Sequence, residues 1–299
     1  MPRALAELFR DWRPDALDSV PELEAVFSSG HSNRSFLVRL GRRRVVVRLP
    51  EGNGERLGID RRVEQRVLEL AERIGLGAPV LHCDPARGIL VTAYLESKPL
   101  RVEGIAADHA IDRVAAALHL LHRQALDVPV LNIADRVRAY ARELQADDPL
   151  AWPRARRWLT CSRQALDQYR SGRWHTALCH NDLLAQNVLE VDGAVRFIDW
   201  EYASRGDAFF DLATIAEDCG FGALDRSRLL LAYGEIGDTA IERLYRARVL
   251  YRLLGVMWHL VRYRGASART VPALARHEQA LDVLLHQGPG WVNARYIAA

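Results

Sequence analysis

Hydrophobic and polar positions change period several times along the chain, and each change marks an element. Residues 3–12 place apolar side chains at helical spacing ahead of Pro14, which predicts a short amphipathic helix. From Val20 to Leu49 the spacing shifts to alternation. Residues 22–27 (ELEAVF), 35–40 (SFLVRL) and 43–49 (RRVVVRL) read as strands, the last two joined by a turn at Gly41. Helical spacing returns at Val63, Val67, Leu70 and Ile74 behind Asp60, a suitable cap, and stops at Gly75 to Pro79. Residues 80–83 and 89–94 complete an expected five-stranded sheet carrying one helix.

Beyond Lys98 and Pro99 the helical period dominates. Helices are expected over 105–123, with Ile111, Val114, Leu118 and Leu121 inward, and over 132–144, 153–169, 239–264 and 272–286. One stretch interrupts them: residues 187–191 and 194–198 alternate around Asp192-Gly193, a two-residue hairpin turn. The fold class is therefore α+β, with an N-terminal sheet lobe over 1–97 and a larger, mainly helical lobe over 98–299.

The hairpin sits inside the stretch richest in chemistry. His180, Asp182 and Asn187 share one short loop before it, and Asp199 follows it. A hydroxyl attacking the terminal phosphate of a nucleotide needs a carboxylate to orient it and accept its proton, which suits Asp182. Asn187 offers a neutral oxygen that ligates a cation without adding negative charge, and the hairpin returns Asp199 towards it. A donor set of hard oxygens, with no thiolate or imidazole cluster, points to magnesium rather than zinc.

Composition changes this picture little. At 299 residues, 49% hydrophobic and 26% charged, the chain reads as globular and can bury a substantial core, and a net charge of +3 is too small to indicate a nucleic-acid surface. Lys98 is the only lysine, so arginine carries nearly all the positive charge. Cys83, Cys161, Cys179 and Cys219 are scattered without a C-x-x-C pair, which fits reduced thiols in a cytoplasmic protein. Acids and prolines come too early for a signal peptide, and no apolar run reaches spanning length, so no membrane association is expected. His119 and His122, three apart and without a third ligand nearby, read as packing histidines. The tail 291–299 is assigned no chemistry.

The run HNDLLAQN at 180–187, followed by IDWEY at 198–202, resembles the catalytic and metal-binding segments of the choline kinase and aminoglycoside phosphotransferase superfamily, relatives of protein kinases. The second motif is most similar to the choline, ethanolamine and thiamine kinase branch. The resemblance implies a bilobal, protein-kinase-like fold, ATP and Mg2+ as cofactors, and a small-molecule alcohol as partner. It implies Asp182 as catalytic base, Asn187 and Asp199 as metal ligands, and His180 and Asp211 as scaffold for the loop. In the sheet lobe it implies nucleotide contacts from the loop 28–33, including Ser32 and Asn33, and from backbone groups between Ala93 and Leu95. Arg48 would be the cation facing the α and β phosphates, and Glu64 its carboxylate partner.

On the acceptor side the resemblance implies Glu201, Asp218 and Trp258. Glu201 would assist magnesium or face the acceptor, while Asp218 would meet a cationic head; its neighbour Glu217 diverges from it on a helix. Tyr251 and Trp258 share a helical face and suit an ammonium group through cation–π attraction. Choline kinases carry a further tryptophan where this chain has Gly255, which is expected to widen the pocket. The function expected is ATP-dependent phosphorylation of a small, cationic alcohol such as choline, ethanolamine or thiamine. The alternatives are a phosphotransferase acting on aminoglycosides or other sugars, and a non-catalytic nucleotide-binding pseudokinase. A protein kinase is disfavoured, because no activation segment with an A-P-E anchor follows Asp199. The oligomeric state stays open.

Overall fold

The structure is a computed structural model and describes residues 2–12, 20–27, 33–51, 54–99, 105–172, 176–265 and 271–289. The expected contacts from Ser32 and residues 28–31, and the tail 291–299, lie outside the described residues. The chain divides into two units: Met1–Pro99 with Val188–Tyr202, and Leu100–Asn187 with Ala203–Ala299. The first break falls close to the expected lobe boundary, but the return of 188–202 to the first unit departs from a C-terminal lobe running unbroken over 98–299. Backbone pairing is the cause.

In the N-terminal unit, α1 (Arg3–Asp11) precedes an antiparallel sheet of β1 (Glu22–Phe27), β2 (Asn33–Leu40), β3 (Arg43–Pro50), β4 (Val80–Asp84) and β5 (Ile89–Ala93), in the order β1-β2-β3-β5-β4. All five expected strands are present. Alternation decides which face is apolar: Phe36, Val38 and Leu40 of β2 and Val45, Val47 and Leu49 of β3 form one core with Leu5, Leu8 and Phe9 of α1. The single helix among these strands, α2 (Arg61–Arg73), begins where the Asp60 carboxylate accepts from the N–H groups of Arg62 and Val63 at 2.9 and 3.2 Å. Then β6 (Lys98–Pro99) pairs with β8 (Val188–Val191), which pairs with β9 (Ala194–Phe197). Phe197 donates its N–H to the Leu76 carbonyl at 2.7 Å, tying this hairpin to the end of α2. Asp192 and Gly193 have φ of 50° and 78°, the positive pair that a tight hairpin turn requires.

The C-terminal unit runs α3 (Ile105–His122), α4 (Ile133–Asp147), α5 (Trp152–Cys161), α6 (Arg163–Ser171), β7 (Thr176–Cys179), β10 (Ser204–Asp207), α7 (Ala208–Asp218), α8 (Ala223–Tyr233), α9 (Asp238–Tyr263) and α10 (Pro272–Gln287). The helix expected over 153–169 is two helices. Ser162, with φ −96° and ψ 7°, closes α5 through its N–H to the Trp158 carbonyl and precedes α6. The break lets Ala155 and Trp158 of α5 reach the same core as Leu166 and Tyr169 of α6. Helix α8 was not expected, because its inward apolar residues reduce to Leu229 and Leu230. At the centre lies α9, whose Val249, Leu250, Leu253, Val256, Met257 and Leu260 share the core with Leu274, Leu281 and Leu284 of α10. No helix among the described residues is long and apolar enough to cross a membrane.

Gly255 does not widen a pocket. The imidazole of His277, from α10, fills the notch, and a Cβ built on Gly255 would lie 2.4 Å from its ring atoms. Burial pushes the His277 imidazole down to about 3, with Arg252, His259 and Arg276 adding to the effect, so the ring is neutral.

Two predictions follow from this contact. Gly255→Ala forces either the ring or α10 to shift and is expected to destabilise the protein by about 1–3 kcal/mol in denaturant titration; an unaltered midpoint would contradict the packing. Because the folded imidazole is harder to protonate than the unfolded one, its contribution is complete above pH ~6.5 and is lost as pH falls towards about 3, at no more than about 1.4 kcal/mol per pH unit. His277→Asn should flatten that acid limb, and an acid limb as steep as that of the wild type would refute it.

Candidate active site

In the N-terminal unit the candidate residues form one charged network. Arg48, in the middle of β3, reaches Glu64 of α2 with both terminal nitrogens, its Nη2 donating to Oε2 at 2.7 Å. The expected pair is therefore formed. Both partners are buried, at 7% and 2% exposure, so the interaction decides their charge. Burial works against the Arg48 charge, but Glu64 outweighs it and holds the guanidinium above its usual range. Burial likewise opposes the Glu64 carboxylate, and Arg48, then Arg61, keep it below its usual range. Both stay ionised.

Glu201 is taken up by the same network. Its Oε2 accepts from Asn33 Nδ2 at 2.7 Å and from Arg61 Nη1 at 3.1 Å, and the residue is 5% exposed. The acceptor-facing reading of Glu201 gives way to a carboxylate already engaged, and the Asn33 side chain, expected at the nucleotide, is turned to Glu201 and Arg61. Asp199, with φ 65°, stands in a strained turn after β9. Burial and then Glu201 raise its carboxyl above the usual range, against the pull of Arg48. Its Oδ1 is buried, lacks a hydrogen-bond partner among the described residues, and lies 3.6 Å from Arg48 Nη1. On the expected adenine stretch, the Ala93 N–H donates to Pro79 and the Tyr94 N–H to Arg44, so any N–H contact there falls to Leu95.

In the C-terminal unit, α7 holds the loop carrying His180, Asp182 and Asn187. Asp207 caps the helix, and Asp211 in its first turn accepts the N–H groups of His180 at 2.8 Å and Asn181 at 2.7 Å. The Asp211 carboxylate also bonds His122 Nε2 at 3.0 Å, and His122 Nδ1 meets the Tyr233 hydroxyl at 2.8 Å. His122 is thus more than a packing histidine. Its inward register with Ile111 and Leu118 was legible, but its partners lie far away in sequence. Although ligand atoms of His122, Cys179 and Asp211 lie within 4.8 Å of one another, both Asp211 oxygens already accept bonds and burial raises the Cys179 thiol. A hydrogen-bonded core describes them better than a metal site.

The loop folds on itself as well. Asn181 takes φ 64°, a conformation asparagine tolerates, and donates its amide to Ser204 Oγ at 2.8 Å. The Asp182 N–H meets His180 Nδ1 at 3.3 Å, which gives the fully buried His180 its place in the loop. Asn187 Nδ2 donates to the Asp182 carbonyl at 2.9 Å and stands 3.4 Å from Asp182 Oδ2, so the two candidate side chains are neighbours.

Asp218 was expected to meet the acceptor's cationic head. It stands two turns beyond Asp211 on the same face of α7, and its Oδ2 accepts the Ala185 N–H at 2.7 Å. Asp211 and Asp218 therefore hold opposite limbs of one loop. Glu217 points elsewhere, between Arg248 and Arg252. Burial, then Asp218, and to a lesser extent Asp182, push up the Tyr251 phenol, so that hydroxyl lies within the fields of both aspartates. Trp258 is half-buried with its ring edge-on to His259 at 4.9 Å, and Tyr263 stacks on the same His259.

Comparison with known proteins gives the family of the chain. The sequence pattern of the Phosphotransferase enzyme family matches residues 24–249, a stretch that contains every candidate above except Tyr251 and Trp258. Protein LicA of Haemophilus influenzae is 30% identical over 198 residues, covering 64% of this chain and 58% of that protein. Human Ethanolamine kinase 2 is 29% identical over 226 residues, covering 70% of this chain and 55% of that protein. The chain matches little more than half the length of these two relatives. Among solved structures, choline kinase LicA from Streptococcus pneumoniae aligns with a TM-score of 0.75 over 96% of this chain and 99% of that one, at 19% identity, a likeness of fold. With the loop, the hairpin and the β3–α2 ion pair inside the matched stretch, the chain belongs to the phosphotransferase enzyme family.

Proposed function

We propose that the protein is an ATP- and magnesium-dependent kinase that phosphorylates the hydroxyl of a small cationic alcohol of the choline or ethanolamine type. The observation that carries this reading is the loop 180–187, pinned at both limbs by α7, which sets the Asp182 carboxylate beside Asn187. In it Asp182 orients the acceptor hydroxyl and takes its proton as that oxygen bonds the γ-phosphorus and the bond to the β,γ-bridging oxygen breaks, releasing ADP. Fixing that carboxylate in advance lowers the barrier through positioning.

Magnesium fits the residues present. Asp199 Oδ1 is a buried carboxylate oxygen lacking a hydrogen-bond partner among the described residues, and Asn187, with Nδ2 committed to its own loop, has its carbonyl oxygen left for a cation. Asn187 and Asp199 would hold the ion, which when bound neutralises charge on the phosphate oxygens. Arg48, fixed by Glu64, suits the α and β phosphates, and Leu95 suits the adenine edge. The exposed carboxylate of Asp218 and the half-buried ring of Trp258 suit the acceptor's cation, and the names of the relatives, an ethanolamine kinase and a choline kinase, favour the same acceptor class.

The purified chain should consume ATP when magnesium and either choline or ethanolamine are supplied, with the phosphorylated alcohol as product. Asp182→Ala should keep its far-UV circular dichroism and lose about a hundredfold or more in turnover; full turnover would remove Asp182 from the reaction. Chelating the divalent ion should stop turnover without unfolding the chain, and metal-independent transfer would contradict the roles of Asn187 and Asp199. No turnover over a panel that adds thiamine and aminoglycosides would favour a nucleotide-binding scaffold instead.

A further inference from the structure

We propose that Arg61 is a positioning residue for the nucleotide and metal end of the reaction, joining Glu64, Glu201 and Asn33 so that Arg48 and Asp199 are held in fixed places. This rests on the kinase reading above and deepens it, assigning Glu201 to the nucleotide side rather than to the acceptor.

Arg61 opens α2 and distributes its guanidinium over three partners. Nη1 donates to Glu64 Oε2 at 2.8 Å and to Glu201 Oε2 at 3.1 Å, while Nη2 donates to Asn33 Oδ1 at 2.8 Å. Asn33 closes a ring by donating to the same Glu201 oxygen at 2.7 Å. On its far side Glu64 takes both terminal nitrogens of Arg48, and Arg48 Nη1 lies 3.6 Å from Asp199 Oδ1. One polar path therefore joins the start of β2, the start of α2, the middle of β3 and the turn that follows β9.

The charges explain why a cation belongs at the centre. Glu64 and Glu201 side chains are each 2% exposed, and burying a carboxylate is costly unless it is hydrogen-bonded to a cation, as each is here to Arg61. Removing Arg61 takes a cation away from Glu201, which keeps the Asn33 bond beside Asp199 two residues away, and takes from Glu64 the second of its two guanidinium partners. The turn 198–202 and the Arg48 guanidinium would then lose their fixed relation. A lysine keeps the charge but lacks the planar fork that spans three acceptors.

The test uses the full chain with Mg·ADP as the calorimetric probe, and separate KM values for ATP and for ethanolamine or choline. Arg61→Met should raise the Mg·ADP Kd about tenfold or more, Arg61→Lys should recover only part of the loss, and the acceptor KM should stay within about twofold. If Arg61→Met does not fold, Arg61→Lys and Glu201→Gln carry the test, each weakening Mg·ADP in the same direction. Wild-type Mg·ADP affinity in these variants would overturn the positioning role and leave the kinase reading standing. A rise confined to the acceptor KM would return Glu201 to the acceptor side and overturn it as well. Failure of the wild type to bind Mg·ADP would remove the kinase reading, and this inference with it.

Discussion

A single buried carboxylate, that of Asp211, organises the loop 180–187. It accepts two consecutive backbone N–H groups, from His180 and Asn181, and a third bond from His122, all of them buried residues. Hydrogen bonds to an ionised group contribute about 1.5–3 kcal/mol each, enough to hold Asn181 in a backbone conformation that most residues avoid. Asp218 adds a fourth N–H, from Ala185, and helix geometry places the two aspartates on one face. The rigidity of Asp182 is thus borrowed from α7, which is itself buried along most of its length.

The N-terminal unit solves a different problem. There the candidate groups are charged and buried together, and each is paired with another: Arg48 with Glu64, and Glu64 and Glu201 with Arg61. Replacing one member leaves an uncompensated buried charge, which costs more than the pair contributes. Asp199 stands at the edge of this network with an oxygen that no described donor reaches, the feature a divalent cation would answer.

Much of this was legible in the sequence because it is local. Strand alternation, the Asp192-Gly193 turn, the Asp60 cap and the spacing of His180, Asp182 and Asn187 depend on neighbours a few residues away, and the Arg48–Glu64 pair on two adjacent elements. What escaped depends on partners distant along the chain. Glu201 looked available until Arg61 and Asn33 were placed beside it, and the bond from the Ala185 N–H to Asp218 joins positions 33 residues apart. Gly255 looked like an opening because His277, which fills it, comes from the following helix. The break at Ser162 escaped for another reason: apolar residues on both sides keep helical spacing, and only the core they share requires the chain to turn.

The central physical claim is that Asp211 holds the loop before any substrate arrives, and amide hydrogen exchange on the ligand-free protein tests it most directly. The N–H groups of His180 and Asn181 should exchange with the slowest class of amides, opening only when the C-terminal unit unfolds. Exchange of these two amides at rates typical of an exposed loop would show that the loop is not held in advance, and would contradict the origin assigned to the positioning of Asp182.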